Sequence, residues 1–179
     1  MQNAFAFTAH TRMTTPTIHI VFGTQGAGKT TYSRKLASEV GATRFSIDDW
    51  MGELFGPDVP KPMSLPWIME RVQRCEHRIW SIASEIVECG GSAVLDLGFM
   101  KVSDRARFIS LAETKALPVQ MHYVDAPHSL RRARVLSRNS EKGGTFSFEV
   151  TPSMFDFMET QFESPTEAEL SKSVAIDTQ

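Results

Sequence analysis

The residue pattern best suited to chemistry is a glycine-rich run from Gly23 to Thr31. It fits G-x-x-x-x-G-K-[ST], a phosphate-binding loop, in which backbone N–H groups converge on phosphate oxygens because side chains stay out of the way. Lys29 can reach the β- and γ-phosphates, and the Thr30 hydroxyl can ligate Mg²⁺. The pattern therefore predicts a nucleoside triphosphate site. Its predicted binding residues are Gly23, Thr24, Gln25, Gly26, Ala27, Gly28, Lys29, Thr30 and Thr31.

Acidic residues follow two predicted strands, where they could act beside a bound triphosphate. Asp48 and Asp49 come directly after one strand, and Asp96 ends another. A carboxylate at Asp48 could accept a proton from an attacking hydroxyl, and one at Asp96 could hold Mg²⁺ directly or through water. Each could instead cap a turn. We favour the chemical role for Asp48 and Asp96, and the turn cap for Asp49.

One stretch, residues 131–139, is strongly basic. On a helix, Arg131, Arg134 and Arg138 share a face because they are three and four residues apart. Charge runs are usually solvated faces, but a planar guanidinium suits the spread charge of a transferring phosphoryl group. Gly143-Gly144 could serve as a hinge. The stretch therefore predicts a closing lid, with Arg134 and Arg138 as phosphate contacts.

Alternating strands and helices must position these residues. We predict strands at 17–22, 43–47, 92–96, 119–124 and 174–176, and helices at 28–40, 67–89, 102–116, 128–139 and 152–162. The alternation implies an α/β fold of three layers, with about five parallel strands and helices on both faces. Sites in such sheets lie beyond the carboxyl ends of the strands, where the loop, Asp48 and Asp96 all fall. Residues 50–66 are rich in glycine and proline and are predicted to be irregular.

Length and composition limit the organisation of the chain. With 179 residues we expect one domain over 17–179, preceded by a mobile extension over 1–16. A formal net charge of −2 gives no general reason to expect a nucleic-acid partner. Cys75 and Cys89 are too far apart on one predicted helix for a disulfide, and no apolar run approaches the roughly 20 residues of a membrane span. We therefore expect a cytoplasmic protein with reduced thiols.

Together, the motifs resemble a group of small bacterial P-loop kinases, often called AAA-family ATPases or predicted kinases. The group is related to chloramphenicol phosphotransferases, zeta toxins and polynucleotide kinases. The resemblance rests on residues 23–31, 45–51, 94–96, 134–139, 155–159 and 162–165. It implies that Asp48 is the acceptor-side base, that Arg134 and Arg138 are lid arginines, and that residues 162–165 border the adenine site. In polynucleotide kinases an arginine that holds a substrate phosphate follows the Asp-Asp-aromatic run, whereas this chain has Met51.

The resulting hypothesis is a phosphotransferase that moves the γ-phosphate of ATP to a hydroxyl of a small molecule. Its predicted catalytic residues are Lys29, Asp48, Arg134 and Arg138, and its predicted Mg²⁺ ligands are Thr30 and Asp96. Two alternatives are a polynucleotide or nucleotide kinase, and a nucleotide-dependent switch without a phosphoryl acceptor. The sequence does not name the acceptor, because residues 50–78 contain no motif of known chemistry.

Overall fold

The computed structural model describes residues 15–141 and 150–179. A five-stranded, wholly parallel sheet with strand order β2-β3-β1-β4-β5 forms its centre. The strands are β1 (Ile18–Phe22), β2 (Thr43–Ser46), β3 (Ala93–Asp96), β4 (Val119–Asp125) and β5 (Ser173–Asp177). The predicted α/β architecture is confirmed.

Helices cover both faces of this sheet. They are α1 (Lys29–Val40), α2 (Ile47–Phe55), α3 (Leu65–Glu88), α4 (Val102–Thr114), α5 (His128–Glu141), α6 (Pro152–Gln161) and α7 (Glu167–Ser171), with a 3₁₀ turn at Gly56–Asp58. In the described ranges, no helix is both long and apolar enough to cross a membrane.

The core divides into two layers because successive strand residues point to opposite faces. On one face, Ile20 and Leu95 pack with buried residues of α3 and α4, such as Phe108. On the other face, Val21 and Val94 pack against α1. Both layers exclude water from the sheet, so the carboxyl ends of the strands are held rigidly relative to one another.

The segment 50–66 is irregular as predicted only over residues 59–64. Ile47–Phe55 forms α2, which is capped by Ser46, whose hydroxyl accepts from Asp49 N at 3.3 Å. Trp50 and Met51 pack against the core, and this burial outweighs the cost of roughly 1 kcal/mol for a glycine inside a helix. Pro66 does not prevent regular structure, because it lies in the first turn of α3, where its missing N–H has no helical partner.

The short helix α7, which the sequence did not predict, begins with a capping box formed by Thr166 and Glu169. Residues 1–14 of the predicted extension, and the predicted hinge Gly143-Gly144, lie outside the described residues. Cys75 is buried and Cys89 is exposed, and both thiols are free.

Candidate functional site

The phosphate loop connects β1 to α1 and is pressed closely against its neighbours. Gly23 has a φ of 147° and Gly26 a φ of 78°. A Cβ atom added at Gly23 would lie 2.0 Å from the Val124 carbonyl oxygen, and one at Gly26 would lie 2.6 Å from that of Arg131. The loop therefore requires glycine at both positions for its backbone angles and for its close approach to β4 and α5.

Lys29, the first residue of α1, folds back over this loop. Its Nζ donates to the carbonyl oxygens of Gly23 and Thr24, each at 2.9 Å. Burial lowers the pKa of Lys29, while the nearby charges of Asp96 and Asp48 oppose that shift. The ammonium group therefore lies within the loop that the sequence predicts to surround a phosphate.

The loop forms the floor of a cleft of ≈ 530 Å³. The cleft is also lined by residues from α2, α5 and α6, and by the segment after β3. All the predicted catalytic and metal-binding side chains line it: Lys29, Thr30, Asp48, Asp96, Arg134 and Arg138. The predicted loop residues that line it are Gln25, Gly26, Gly28, Lys29, Thr30 and Thr31. The fold thus brings together predicted side chains that are up to 113 positions apart, from Gln25 to Arg138.

The three carboxylates at this edge of the sheet have different surroundings. Asp48, in the first turn of α2, opens to the cleft, and partial burial together with the charge of Asp96 raises its pKa, while Lys29 opposes the shift. Asp49 accepts from Arg44 at 2.9 Å rather than capping the helix, since Ser46 is the cap. Asp96 is 6% exposed and accepts from Arg44 at 2.8 Å.

The arginines of α5 also differ from one another. Arg131 is buried and donates to both carboxylate oxygens of Glu159, at 2.6 and 2.7 Å, and to the Ala126 carbonyl oxygen. Arg134 donates to Thr178 at 2.9 Å. Arg138 forms no ion pair with the described residues, and its buried Nε has no hydrogen-bond partner among them. Arg131 is therefore a structural anchor, whereas Arg134 and Arg138 face the cleft.

Two residues that the sequence analysis did not single out contact the site. Thr178, just after β5, donates its hydroxyl to the Ala27 carbonyl oxygen at 2.7 Å and accepts from Arg134. Nothing in the sequence marks this threonine, because its partners are 151 and 44 residues away. Arg44 carried a weak signal, since it is a cation within a predicted strand that leads to Asp48.

Residues 162–165, which the resemblance implies to border the adenine site, contact the start of α4. The backbone N–H of Glu163 donates to the Met100 carbonyl oxygen at 2.9 Å, and its carboxylate accepts from Val102 N at 2.8 Å. Neither Glu163 nor its neighbours line the cleft. These contacts attach the segment to the start of α4, so they give no support to a role beside adenine.

The composition of the cleft fits a phosphorylated ligand with Mg²⁺. Among the described residues, Thr24 Oγ1, Gln25 Oε1 and Arg138 Nε are buried without a hydrogen-bond partner. Thr30 and Asp96 supply hard oxygen donors, and Mg²⁺ commonly takes one or two protein oxygens, with phosphate and water completing its shell. No group of three or more His, Cys, Asp or Glu side chains in the described ranges could hold a metal ion by itself.

Comparison with known proteins identifies the fold. The chain is similar to a protein from Chloroflexus aurantiacus J-10-fl that is named only provisionally as a kinase, with 20% identity, a TM-score of 0.72 and coverage of 93% of this chain and 87% of the other. It is similar to a sugar kinase from Janibacter sp. HTCC2649, with 18% identity, a TM-score of 0.62 and coverage of 90% and 85%. It is also similar to Kti12 from Chaetomium thermophilum, solved with ADP-AlF3, with 15% identity, a TM-score of 0.65 and coverage of 90% and 88%. At these identities, the matches show a common P-loop fold.

The family follows from the sequence itself. No curated protein matches the chain. The model of the AAA domain family, however, matches residues 18–165, a range that contains the phosphate loop, Asp48, Asp96 and the cleft arginines of α5. Because this range is well over half of the 179 residues, the chain belongs to the AAA domain family.

Proposed function

We propose that the protein is a kinase that transfers the γ-phosphate of ATP to a hydroxyl group of a small molecule. The observation that carries the proposal is the convergence of Lys29, Asp48 and Arg138 on one cleft, next to the phosphate loop. A triphosphate needs only the loop and its lysine, whereas phosphoryl transfer also needs an acceptor-side carboxylate and cations for the developing charge. The Janibacter sugar kinase and ADP-AlF3-bound Kti12 are consistent with this use of the fold.

The nucleotide end of the cleft would be formed by the loop and α1. The positive end of α1 lies at the loop, where backbone N–H groups would bind the phosphates. Thr30 and Asp96 would hold Mg²⁺, which when bound would neutralise charge on the phosphates. Lys29 would exchange its two carbonyl partners for phosphate oxygens, which are stronger acceptors because they are charged.

Asp48 is the proposed base on the acceptor side. It faces the cleft, and no group of the described residues donates a hydrogen bond to its carboxylate. Burial and the charge of Asp96 raise the pKa of Asp48, which makes it a better proton acceptor than an ordinary carboxylate. Since phosphoryl transfer depends mainly on positioning, Asp48 would chiefly orient the attacking hydroxyl.

The side chains around the cleft and the net charge favour a small molecule over a nucleic acid as the acceptor. Met51, at the position where polynucleotide kinases have a phosphate-binding arginine, packs against the core. Met100 and Met158 contribute apolar surface to the cleft. An oligonucleotide would need cations along its backbone, and neither the Met51 position nor the net charge of −2 provides them.

Two substitutions test the proposal. Lys29→Ala should abolish transfer or weaken ATP binding, because it removes the cation that reaches the phosphates. Asp48→Asn should keep ATP affinity within about threefold and lower kcat by roughly 10²–10⁴-fold, the usual contribution of a positioned general base. Asp49→Asn is the matched control, and its loss should be at least tenfold smaller because Asp49 does not line the cleft.

The acceptor assay follows label from γ-labelled ATP to a panel of sugars, alcohols, hydroxyl-bearing antibiotics and a 5′-hydroxyl oligonucleotide. Transfer to a small molecule supports the proposal. Label appearing only on the oligonucleotide would favour a polynucleotide kinase. ATP hydrolysis that no compound stimulates, and that Asp48→Asn leaves unchanged, would favour a switch without an acceptor.

A further inference from the structure

The three carboxylates at the edge of the sheet differ in whether they form an ion pair with Arg44. Asp49 and Asp96 are each ion-paired with this residue, at 2.9 and 2.8 Å. Asp48, next to Asp49 in sequence, has no such partner in the described ranges. The sequence already favours Asp48 over its neighbour, and the ion pairs of the folded chain give that distinction a physical cause.

Arg44 reaches three elements from β2 through its guanidinium. Its Nε donates to Ser33 Oγ of α1 at 2.8 Å, its Nη1 to Asp49 of α2, and its Nη2 to Asp96 of β3. The Ser33 hydroxyl also lies 3.0 Å from Asp96 Oδ2, so that oxygen has two donors. The Arg44 side chain is 13% exposed and does not line the cleft. The rigid planar fork of arginine serves these three directions with donors whose relative positions are fixed.

We propose that Arg44 is the positioning residue of the cleft, which holds Asp96 in place and draws Asp49 away so that Asp48 alone is open to the acceptor. This inference rests on the proposed function, since it gives Asp96 a metal-side role and Asp48 an acceptor-side role. Arg44 itself touches no reacting atom. It acts through the two carboxylates that it binds.

Burial of the Arg44–Asp96 ion pair explains why the Asp96 carboxylate is held in one orientation. The side chains of Arg44 and Asp96 are 13% and 7% exposed, so neither ion can regain full hydration if its partner is removed. The Arg44–Asp49 pair is weaker, because the Asp49 side chain is 49% exposed. Loss of Arg44 would leave Asp96 with the Ser33 hydroxyl as its remaining side-chain partner in the described ranges. The carboxylate would then no longer be fixed in one orientation.

The test compares Arg44→Met with Arg44→Lys, which keeps the charge but loses the fork. Arg107→Met is the control, since it breaks an ion pair of 2.6 Å with Glu76 that lies outside the cleft. For each variant we would measure thermal unfolding, kcat and KM in the transfer assay, and ADP affinity by calorimetry with and without Mg²⁺. The metal-free affinity reports the loop, and the gain on adding Mg²⁺ reports the proposed ligands Thr30 and Asp96, of which only Asp96 contacts Arg44.

We expect Arg44→Met to lower kcat 10- to 100-fold and to reduce the Mg²⁺-dependent gain in ADP affinity by a similar factor. Metal-free ADP affinity should stay within about threefold of the parent, Arg44→Lys should recover part of both losses, and Arg107→Met should match the parent. An Arg44→Met variant with parental kcat and a parental Mg²⁺ gain would overturn the proposal. So would losses that appear equally in metal-free binding, because they would indicate a general structural role.

The two proposals fail in distinguishable ways. If the parent phosphorylates no acceptor, the proposed function fails, while the Mg²⁺-dependent gain in ADP affinity still decides the role of Arg44. If Arg44→Met shows no cooperative unfolding transition, Arg44→Lys and Asp49→Asn provide the same measurements. Asp49→Asn removes only the exposed ion pair and should lose less of the Mg²⁺ gain than Arg44→Lys. A larger loss of the Mg²⁺ gain in Asp49→Asn than in Arg44→Lys would contradict the proposal that Arg44 acts mainly through Asp96.

Discussion

Substitution of Arg131 tests most directly how the cleft is held together. Arg131 is a structural anchor, whereas the other arginines described on this face of α5 line the cleft. The Arg131 side chain is 7% exposed, and its guanidinium binds both oxygens of Glu159, which is 20% exposed. It also donates to the Ala126 and Gln25 carbonyl oxygens, at 3.0 and 3.3 Å. Arg131 therefore ties α6 and the phosphate loop to α5.

The expected effect follows from burial and hydrogen bonding. Removing one partner of a buried ion pair costs roughly 3–5 kcal/mol of unfolding free energy, and the partial exposure of Glu159 places Arg131→Met near the lower limit, at about 3 kcal/mol. Glu159→Met should cost a similar amount, because it leaves the buried guanidinium uncompensated. The double variant should lose far less than the sum, with a coupling free energy of about 2 kcal/mol.

Urea unfolding monitored by far-UV circular dichroism measures these free energies, and thermal unfolding gives a second reading. For a chain of 179 residues, a loss of about 3 kcal/mol lowers Tm by roughly 6–12 °C. Arg134→Met is the matched control, since the same substitution one turn along α5 removes only a hydrogen bond to Thr178 and should cost about 1 kcal/mol. Additive single and double variants, or an Arg131→Met variant as stable as Arg134→Met, would refute the anchor role.

Two further predictions concern the rest of the sheet and the tail. Burial, reinforced by His19, lowers the pKa of His122 to about 4, so between about pH 4 and 6.5 the unfolded chain binds the extra proton. The free energy of unfolding should therefore fall by about 3 kcal/mol as pH drops through this window. In His122→Gln the free energy of unfolding should depend less steeply on pH. An equally steep dependence in parent and variant would contradict this assignment. Thr178→Val removes the hydroxyl between Ala27 and Arg134, so ADP affinity measured by calorimetry should fall about 5- to 10-fold, and unchanged affinity would exclude a role for the tail.

The parts of the fold that the sequence could predict depend on local signals. The phosphate loop has a fixed spacing, and its glycines are required by contacts that a Cβ atom would violate at Gly23 and Gly26. The strands are apolar runs separated by helices of matching length, which is enough to predict a parallel sheet. The carboxyl edge then brings together Asp48 and Asp96 without further information.

The parts that could not be predicted depend on long-range contacts. Glycine and proline in residues 50–66 suggested irregular structure, but the cap at Ser46 and the burial of Trp50 and Met51 produce a helix. Arg44 and Thr178 contact the site through partners that are 52 and 151 residues away. No pattern along the chain encodes such pairs, because they exist only once the sheet is assembled.

The arginines around the cleft show what the structure adds to a count of charges. Arg44 and Arg131 are bound to buried or half-buried carboxylates, and giving either guanidinium to a phosphate would leave such a carboxylate unpaired. Arg138 has no carboxylate partner in the described ranges, and Arg134 has only the Thr178 hydroxyl, so neither faces that cost. These two are also the arginines that line the cleft. Arginines that are paired with carboxylates therefore hold the site together, whereas arginines without a carboxylate partner are available to a phosphate. This difference supports Arg134 and Arg138 as the phosphate contacts.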